Sequence, residues 1–180
     1  ISVLSKMEKS GVYVDLDYLS NLSFVYGDKT AKLKQNILNM IGREININSP
    51  KQLAEVLFDE LELKTIRKRS TDVRVLEVLK NHHPLPALVL EYRKYMKLLS
   101  TYIDAFPKYV NPYTNRIHTS FNQTITTTGR LSSTRPNFQN IPIRNDFGKE
   151  IRKSFVPELE NWKIVSLDYS QVELRIMAHM

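Results

Sequence analysis

One carboxylate is singled out by where the sequence puts it. In Lys163-Ile164-Val165-Ser166-Leu167-Asp168-Tyr169-Ser170-Gln171-Val172-Glu173-Leu174-Arg175, Ile164, Val165 and Leu167 are strand formers. On a period of two, Ile164, Ser166 and Asp168 share one face and Val165 and Leu167 the other, so the pattern predicts a strand with Asp168 at its last position. Ser170 and Glu173 have the spacing of a capping box, and Val172, Ile176 and His179 recur at helical spacing, which predicts a helix from about Ser170. Where a strand hands over to a helix amino terminus, backbone N–H groups and the helix dipole favour anions. A carboxylate beside such an anion site suits a bridging divalent cation. Taken alone, however, these residues fit an ordinary strand-end turn, with Glu173 as a cap partner, better than they fit a catalytic site.

Two other stretches carry groups suited to a polyanion. Lys64-Thr65-Ile66-Arg67-Lys68-Arg69-Ser70-Thr71 brings four cations to the start of a helix predicted over 72–81. It reads either as a solvated loop or as a tip that grips successive phosphates without reading bases. Further on, Thr128-Gly129-Arg130-Leu131-Ser132-Ser133 continues into Pro136-Asn137-Phe138-Gln139-Asn140-Ile141-Pro142. Gly129-Arg130 by itself is only a turn with a cation. In its setting, Asn122, Gln123, Arg130, Asn137, Gln139 and Asn140 concentrate amides and a guanidinium in one polar stretch. Such groups can contact the minor-groove acceptors common to all base pairs. His82-His83 has no further His, Cys or acidic cluster nearby and reads as a helix-end turn rather than a metal site.

The elements that must position these groups follow from periodicity and punctuation. Met7 to Asp15 reads as a short extended stretch around Gly11, and Asp15 caps a helix from about Leu16. Apolar residues then recur at helical spacing to Ile41, with Gly27 dividing the run into two helices and Gly42 stopping it. Ser49-Pro50-Lys51-Gln52 is a capping box with proline at the first helical position, opening a short helix through Leu61. After the break at His82 to Pro86, a longer helix is predicted from about Ala87 to Phe106, with Tyr92, Tyr95 and Tyr102 on a core-facing stripe. Past Pro107 the character changes: Arg116 to Gln123 alternates as a strand, the polar stretch follows, and Arg152 to Val156 reads as a further strand. A boundary near residue 105 therefore separates a helical part, 1–105, from a mixed part, 106–180. The first 25 or so residues are open to assignment with the second part. The fold class expected is α+β.

Composition sets outer limits. A chain of 180 residues with 42% hydrophobic residues can bury a core as one domain or two small ones. With 26 Lys and Arg against 19 Asp and Glu, the formal net charge is +7, which favours an anionic partner and nucleic acid first. No apolar run of about 18 residues could span a membrane, the opening residues do not form a signal peptide, and the absence of cysteine fits a reducing compartment; a cytoplasmic protein is expected. The absence of an initiator methionine and the uncapped final helix suggest a piece of a larger protein.

Asp168-Tyr169-Ser170-Gln171-Val172-Glu173-Leu174-Arg175 resembles the first palm motif of family A DNA polymerases of the bacterial DNA polymerase I type. Arg116 to Arg144 resembles the family segment that contacts the primer–template duplex. Ala178-His179, Ile47 to Leu53 and Lys97 to Tyr102 extend the resemblance over nearly the whole chain. It implies a helical thumb followed by the first part of a right-hand polymerase palm, acting in DNA replication or repair. It also implies that Asp168 and the Tyr169 carbonyl ligate catalytic magnesium and that Glu173 helps exclude a ribose 2′ hydroxyl. Arg130 and Gln139 would monitor the primer terminus, with Asn122, Gln123, Asn137 and Asn140 along the duplex. Arg67, Lys68, Arg69, Ser70 and Thr71 would meet phosphates, and Arg144, Tyr169, Ser170 and Gln171 would lie near the incoming deoxynucleoside triphosphate.

Three departures bear on these assignments. The loop from Leu63 to Ser70 is shorter than is usual in the family and lacks its common glycine, and Arg135 stands where an acidic residue is frequent. The fingers helix and the second palm carboxylate do not occur in these residues, so the chain alone is expected not to polymerise. Two other classes stay open on sequence: a stand-alone, non-catalytic nucleic-acid binder, and a structural module that docks on a protein through its helical face. A palm strand without its partners would also leave a sheet edge open to self-association.

Overall fold

The computed structural model describes residues 1–64, 69–142 and 146–180. Its spine is two long helices. α2 (Leu16–Ile41) starts at Asp15, whose Oδ1 accepts the Tyr18 N–H at 2.8 Å, and ends at Gly42, left-handed at φ 80°. The division expected at Gly27 does not occur. One helical glycine costs only about 1 kcal/mol relative to alanine, and burial of Leu19, Leu22 and Tyr26 before it and Ile37 and Leu38 after it holds both halves in line. α5 (Pro84–Leu98) runs on as a π-helical turn, Leu99–Ile103. It begins three residues earlier than expected, because His83 Nδ1 caps it by accepting the Leu85 N–H at 3.1 Å.

Between them lie α3 (Pro50–Glu55), continued by a π-helical turn Val56–Glu60, and α4 (Val73–Leu79). Ser49 caps α3 as expected, accepting the Gln52 N–H at 3.4 Å, while the Gln52 side chain reaches back to Asn46 N–H at 2.6 Å instead of to Ser49. Ile37, Ile47, Leu53, Leu57, Leu76, Leu85 and Val89 form one core with these helices. A second core joins the first half of α2 and the end of α5 to residues from the later part of the chain, Phe106, Ile117, Ile141 and Ile151. The tyrosine stripe belongs to these cores.

The mixed part contains small antiparallel sheets. β1 (Val12–Tyr13), β3 (Arg116–Ile117) and β2 (Val110–Asn111) pair in that order, and β4 (Ser120–Asn122) pairs with β5 (Ser132–Thr134). The α+β class holds.

Several local expectations are corrected. Residues 2–10 form α1 (Ser2–Ser10), with Gly11 at φ 62° as its stop, so Met7 to Ser10 is helical and not extended. The strand expected over 116–123 is interrupted at His118-Thr119. There His118 Nδ1 lies 2.7 Å from the Glu8 carbonyl and Thr119 Oγ1 turns to the Pro136 carbonyl at 2.8 Å. The strand expected from Arg152 to Val156 does not form: Arg152 and Lys153 end α6 (Asp146–Lys153), which buries Ile151, and beyond them Phe155 bridges to Val14. Ile164 to Asp168 has no regular structure: it has strand-forming side chains but no neighbour among the described residues to complete a ladder, and propensity alone does not make a strand.

Candidate nucleic-acid interface and carboxylate site

The polar stretch forms a hairpin and a turn. β4 and β5 pair Asn122 with Ser132 and Phe121 with Ser133. In the loop between them Gly129 takes φ 74°, and Thr126 Oγ1 donates to the Arg130 carbonyl. This loop leaves Gln123 and Arg130 exposed. Asn122 spends its Nδ2 on Thr134 Oγ1 at 3.2 Å. After β5, Asn137 Oδ1 accepts the Gln139 N–H at 3.0 Å and starts a 3₁₀ turn, Phe138–Asn140, on which Gln139 and Asn140 are exposed. The Phe138 ring lies 5.5 Å from those of Phe106 and Phe155 and fixes the turn to the core.

At the basic tip, Arg67 and Lys68 lie outside the described residues, as does Arg144 in the later segment. Arg69 forms a two-pronged contact with Asp59, at 2.5 and 2.6 Å, and this guanidinium holds the Asp59 carboxyl below the usual range. Ser70 Oγ accepts the Asp72 N–H at 3.2 Å. Thr71 is only 6% exposed, and its carbonyl accepts from Arg93 Nη1 at 2.6 Å. Burial lowers the Arg93 pKa, which nonetheless stays far above neutrality as for any arginine. Thr71 therefore anchors the tip from inside rather than presenting its hydroxyl to solvent.

Asp168 and Tyr169 are exposed, and no described residue hydrogen-bonds to the Asp168 carboxylate. The capping box expected from Ser170 and Glu173 is not formed. α7 (Val172–His179) instead has Gln171 as its N-cap in the left-handed region at φ 53°, with no side-chain cap bond. A capping box needs an extended N-cap one residue earlier. Ser170 contributes its carbonyl to Arg175 Nε at 2.9 Å, and Glu173 pairs with Arg130 Nη2 at 3.3 Å. That exposed ion pair is the direct link between the polar stretch and the carboxylate motif. Its strength is small; what it fixes is proximity.

Among the described residues no three His, Cys, Asp or Glu side chains gather as a metal site. Mg²⁺ takes near-octahedral oxygen ligation, and one carboxylate with a neighbouring carbonyl leaves most of that shell unfilled, so these residues do not by themselves fit a magnesium centre. Sequence reasoning passed over Ser133, Thr119 and Tyr102, which hold the turn in place. Thr119 and Tyr102 bond to carbonyls 15 to 38 residues away, which no spacing rule shows, and Ser133 bonds four to six residues ahead, where a serine in a polar stretch looks like any other.

An α+β chain with a helical pair, a polar hairpin and turn, and a carboxylate motif tied to it by an ion pair matches one class of known proteins. The model of DNA polymerase family A matches residues 16–180. The chain is 48% identical over 185 residues to the thermostable DNA polymerase I of Thermus aquaticus, covering 99% of this chain and 22% of that protein. It is 50% identical over 184 residues to DNA polymerase I of Deinococcus radiodurans, covering 99% and 19%. Among solved structures, the POL domain of Pol1 from M. smegmatis, in complex with DNA primer-template and dNTP, matches with a TM-score of 0.83 and 43% identity over 98% of this chain and 32% of that one. The chain belongs to DNA polymerase family A. It spans about a fifth of the length of these curated relatives, and no helix among the described residues is long and apolar enough to cross a membrane.

Proposed function

We propose that this chain is the part of a DNA-directed DNA polymerase that grips the primer–template duplex and contributes one carboxylate to the polymerising site. Residues 1–105 act as the thumb, with the first stretch packed onto the palm, and 106–180 supply part of the palm. The observation that carries the reading is the similarity, over 98% of the chain, to a polymerase domain in complex with primer-template DNA and dNTP. The placement of Gln123, Arg130, Gln139 and Asn140 on one exposed hairpin and turn supports it. The tip cations, Arg67 and Lys68 first, contact phosphates, and Ser70 and Thr71 hold the tip. Asn122 and Asn137 shape the groove-facing backbone, since each already uses its amide within the fold.

At the other end, Asp168 and the Tyr169 carbonyl supply part of a Mg²⁺ site that other segments of the protein complete. Tyr169, Ser170, Gln171, Glu173 and Arg144 border the incoming deoxynucleoside triphosphate, and Glu173 bears on the choice of sugar. A cytoplasmic location goes with this reading. Until its neighbours cover it, the 164–168 segment, with Leu167 92% exposed, has a tendency to pair with a second copy.

The test is equilibrium binding to several primer–templates of unrelated sequence. The expected result is near-equal affinity for all of them, falling steeply with salt. Strong preference for one sequence, or salt-insensitive binding, would contradict the proposal.

A further inference from the structure

Gln139 and Asn140 stand on a 3₁₀ turn of only three residues, whose own hydrogen-bond geometry is poorer than that of an α-helix. It is held from inside at both ends. The Ser133 residue is 0% exposed, and its hydroxyl accepts the Phe138 N–H at 3.1 Å and the Gln139 N–H at 3.4 Å while donating to Asn137 Oδ1 at 3.2 Å. One donor and two acceptor sites are all that a hydroxyl has, so Ser133 is saturated by this turn. At the far end the Tyr102 hydroxyl, from the π-helical extension of α5, donates to the Asn140 carbonyl at 2.5 Å.

Two buried hydroxyls from distant parts of the chain thus pin the backbone on either side of the exposed amides. Contact with a base edge requires a donor within about 2.7–3.2 Å of its acceptor, which a fraying turn would not maintain. Resting on the duplex-gripping reading above, we infer that Ser133 and Tyr102 are positioning residues that set Gln139 and Asn140 at reading distance from minor-groove acceptors near the primer terminus. They act through the turn and touch no DNA themselves.

The experiment compares the chain's affinity for two primer–templates: one with natural purines, and one carrying 3-deazapurines near the primer end, which lack the minor-groove N3 acceptor. The wild-type chain should prefer the natural duplex by about three- to tenfold, as one or two net hydrogen bonds allow. Ser133→Ala and Tyr102→Phe should bring that ratio close to one while leaving the salt slope, which reports phosphate contacts, unchanged. A general loosening of the fold would weaken both duplexes together and keep the ratio. Variants that keep the wild-type ratio would overturn the inference. Salt-sensitive wild-type binding with no preference would overturn the minor-groove reading and the inference with it. If Ser133→Ala does not fold, Tyr102→Phe, which removes a single oxygen, decides the matter.

Discussion

Gly148→Ala should unfold the chain far more readily than so small a change suggests. A Cβ at Gly148 would stand 1.9 Å from the Pro142 carbonyl oxygen and 2.5 Å from its carbon, against an optimum of about 3.5 Å for non-bonded atoms. α6 would have to retreat by roughly 1.5 Å to accommodate it, and it is held on three sides. Ile151 is 1% exposed in the core, the Phe147 ring lies 5.8 Å from that of Tyr26 and 5.3 Å from that of Tyr95, and Glu150 accepts the Tyr18 hydroxyl at 2.7 Å. Exposing a side chain such as Ile151 costs about 1.5–3 kcal/mol, and disturbing an aromatic pair adds about 0.5–1.5 kcal/mol. Allowing for partial relaxation, the expected loss is about 2–4 kcal/mol. At about 2–4 °C per kcal/mol for a domain of this size, Tm should fall by about 5–15 °C. Urea unfolding and calorimetry would measure it. A variant within about 0.5 kcal/mol of wild type, the ordinary range for an inconsequential surface change, would show that α6 does not seat on Pro142 as described.

Other perturbations should behave differently. Gly27 lies in the middle of α2, and nothing stands within 4 Å of a Cβ built there, so Gly27→Ala should stabilise by about 0.5–1 kcal/mol in the same urea assay. Burial and the Glu150 carboxylate push the Tyr18 pKa up to about 12. Because the folded value lies above tyrosine's ordinary value of about 10, this stabilisation is complete below about pH 10 and is lost as pH rises from there toward 12; Tyr18→Phe should therefore flatten the fall in urea midpoint over that window. Replacing Arg67, Lys68 and Arg69 with alanine should weaken duplex binding similarly for all sequences and flatten the slope of log affinity against log salt by about two to three units, with Arg69 contributing least because it is paired with Asp59. Asp168 is exposed and unpaired among the described residues, so Asp168→Asn should leave the unfolding free energy from urea within about 0.5 kcal/mol of wild type.

What the sequence disclosed depended on whether the cause was local. Asp15, Gly42 and Ser49 act through bonds to residues three or four away, and their caps and stops stand where spacing put them. Gly11 was legible as a breaker, but not as the end of a helix, because the apolar residues of α1, Val3, Leu4 and Met7, span little more than one turn and none of them is buried. Ile164 to Asp168 shows the opposite error: its alternation is sound, yet a strand is a property of a pair. Phe147 and Ile151 carried a helical signal in their four-residue spacing, obscured by the aromatic and β-branched residues that follow. At the candidate site, the exposed amides and Arg130 were visible as composition. The Tyr102 clamp and the Arg130–Glu173 pair were not, since each joins parts of the chain that meet only in the fold, and the Ser133 clamp, though local, depends on burial of its hydroxyl, which composition does not show.

The most direct test of the central claim is primer–template binding by fluorescence anisotropy across a salt series, with a primer-extension assay containing Mg²⁺ and nucleotides on the same sample. Binding should weaken steeply with salt and no extension should occur, because these residues grip the duplex but hold only part of a metal site. Extension by the chain alone would contradict the incomplete ligand set, and absence of binding at low salt would contradict the duplex grip itself.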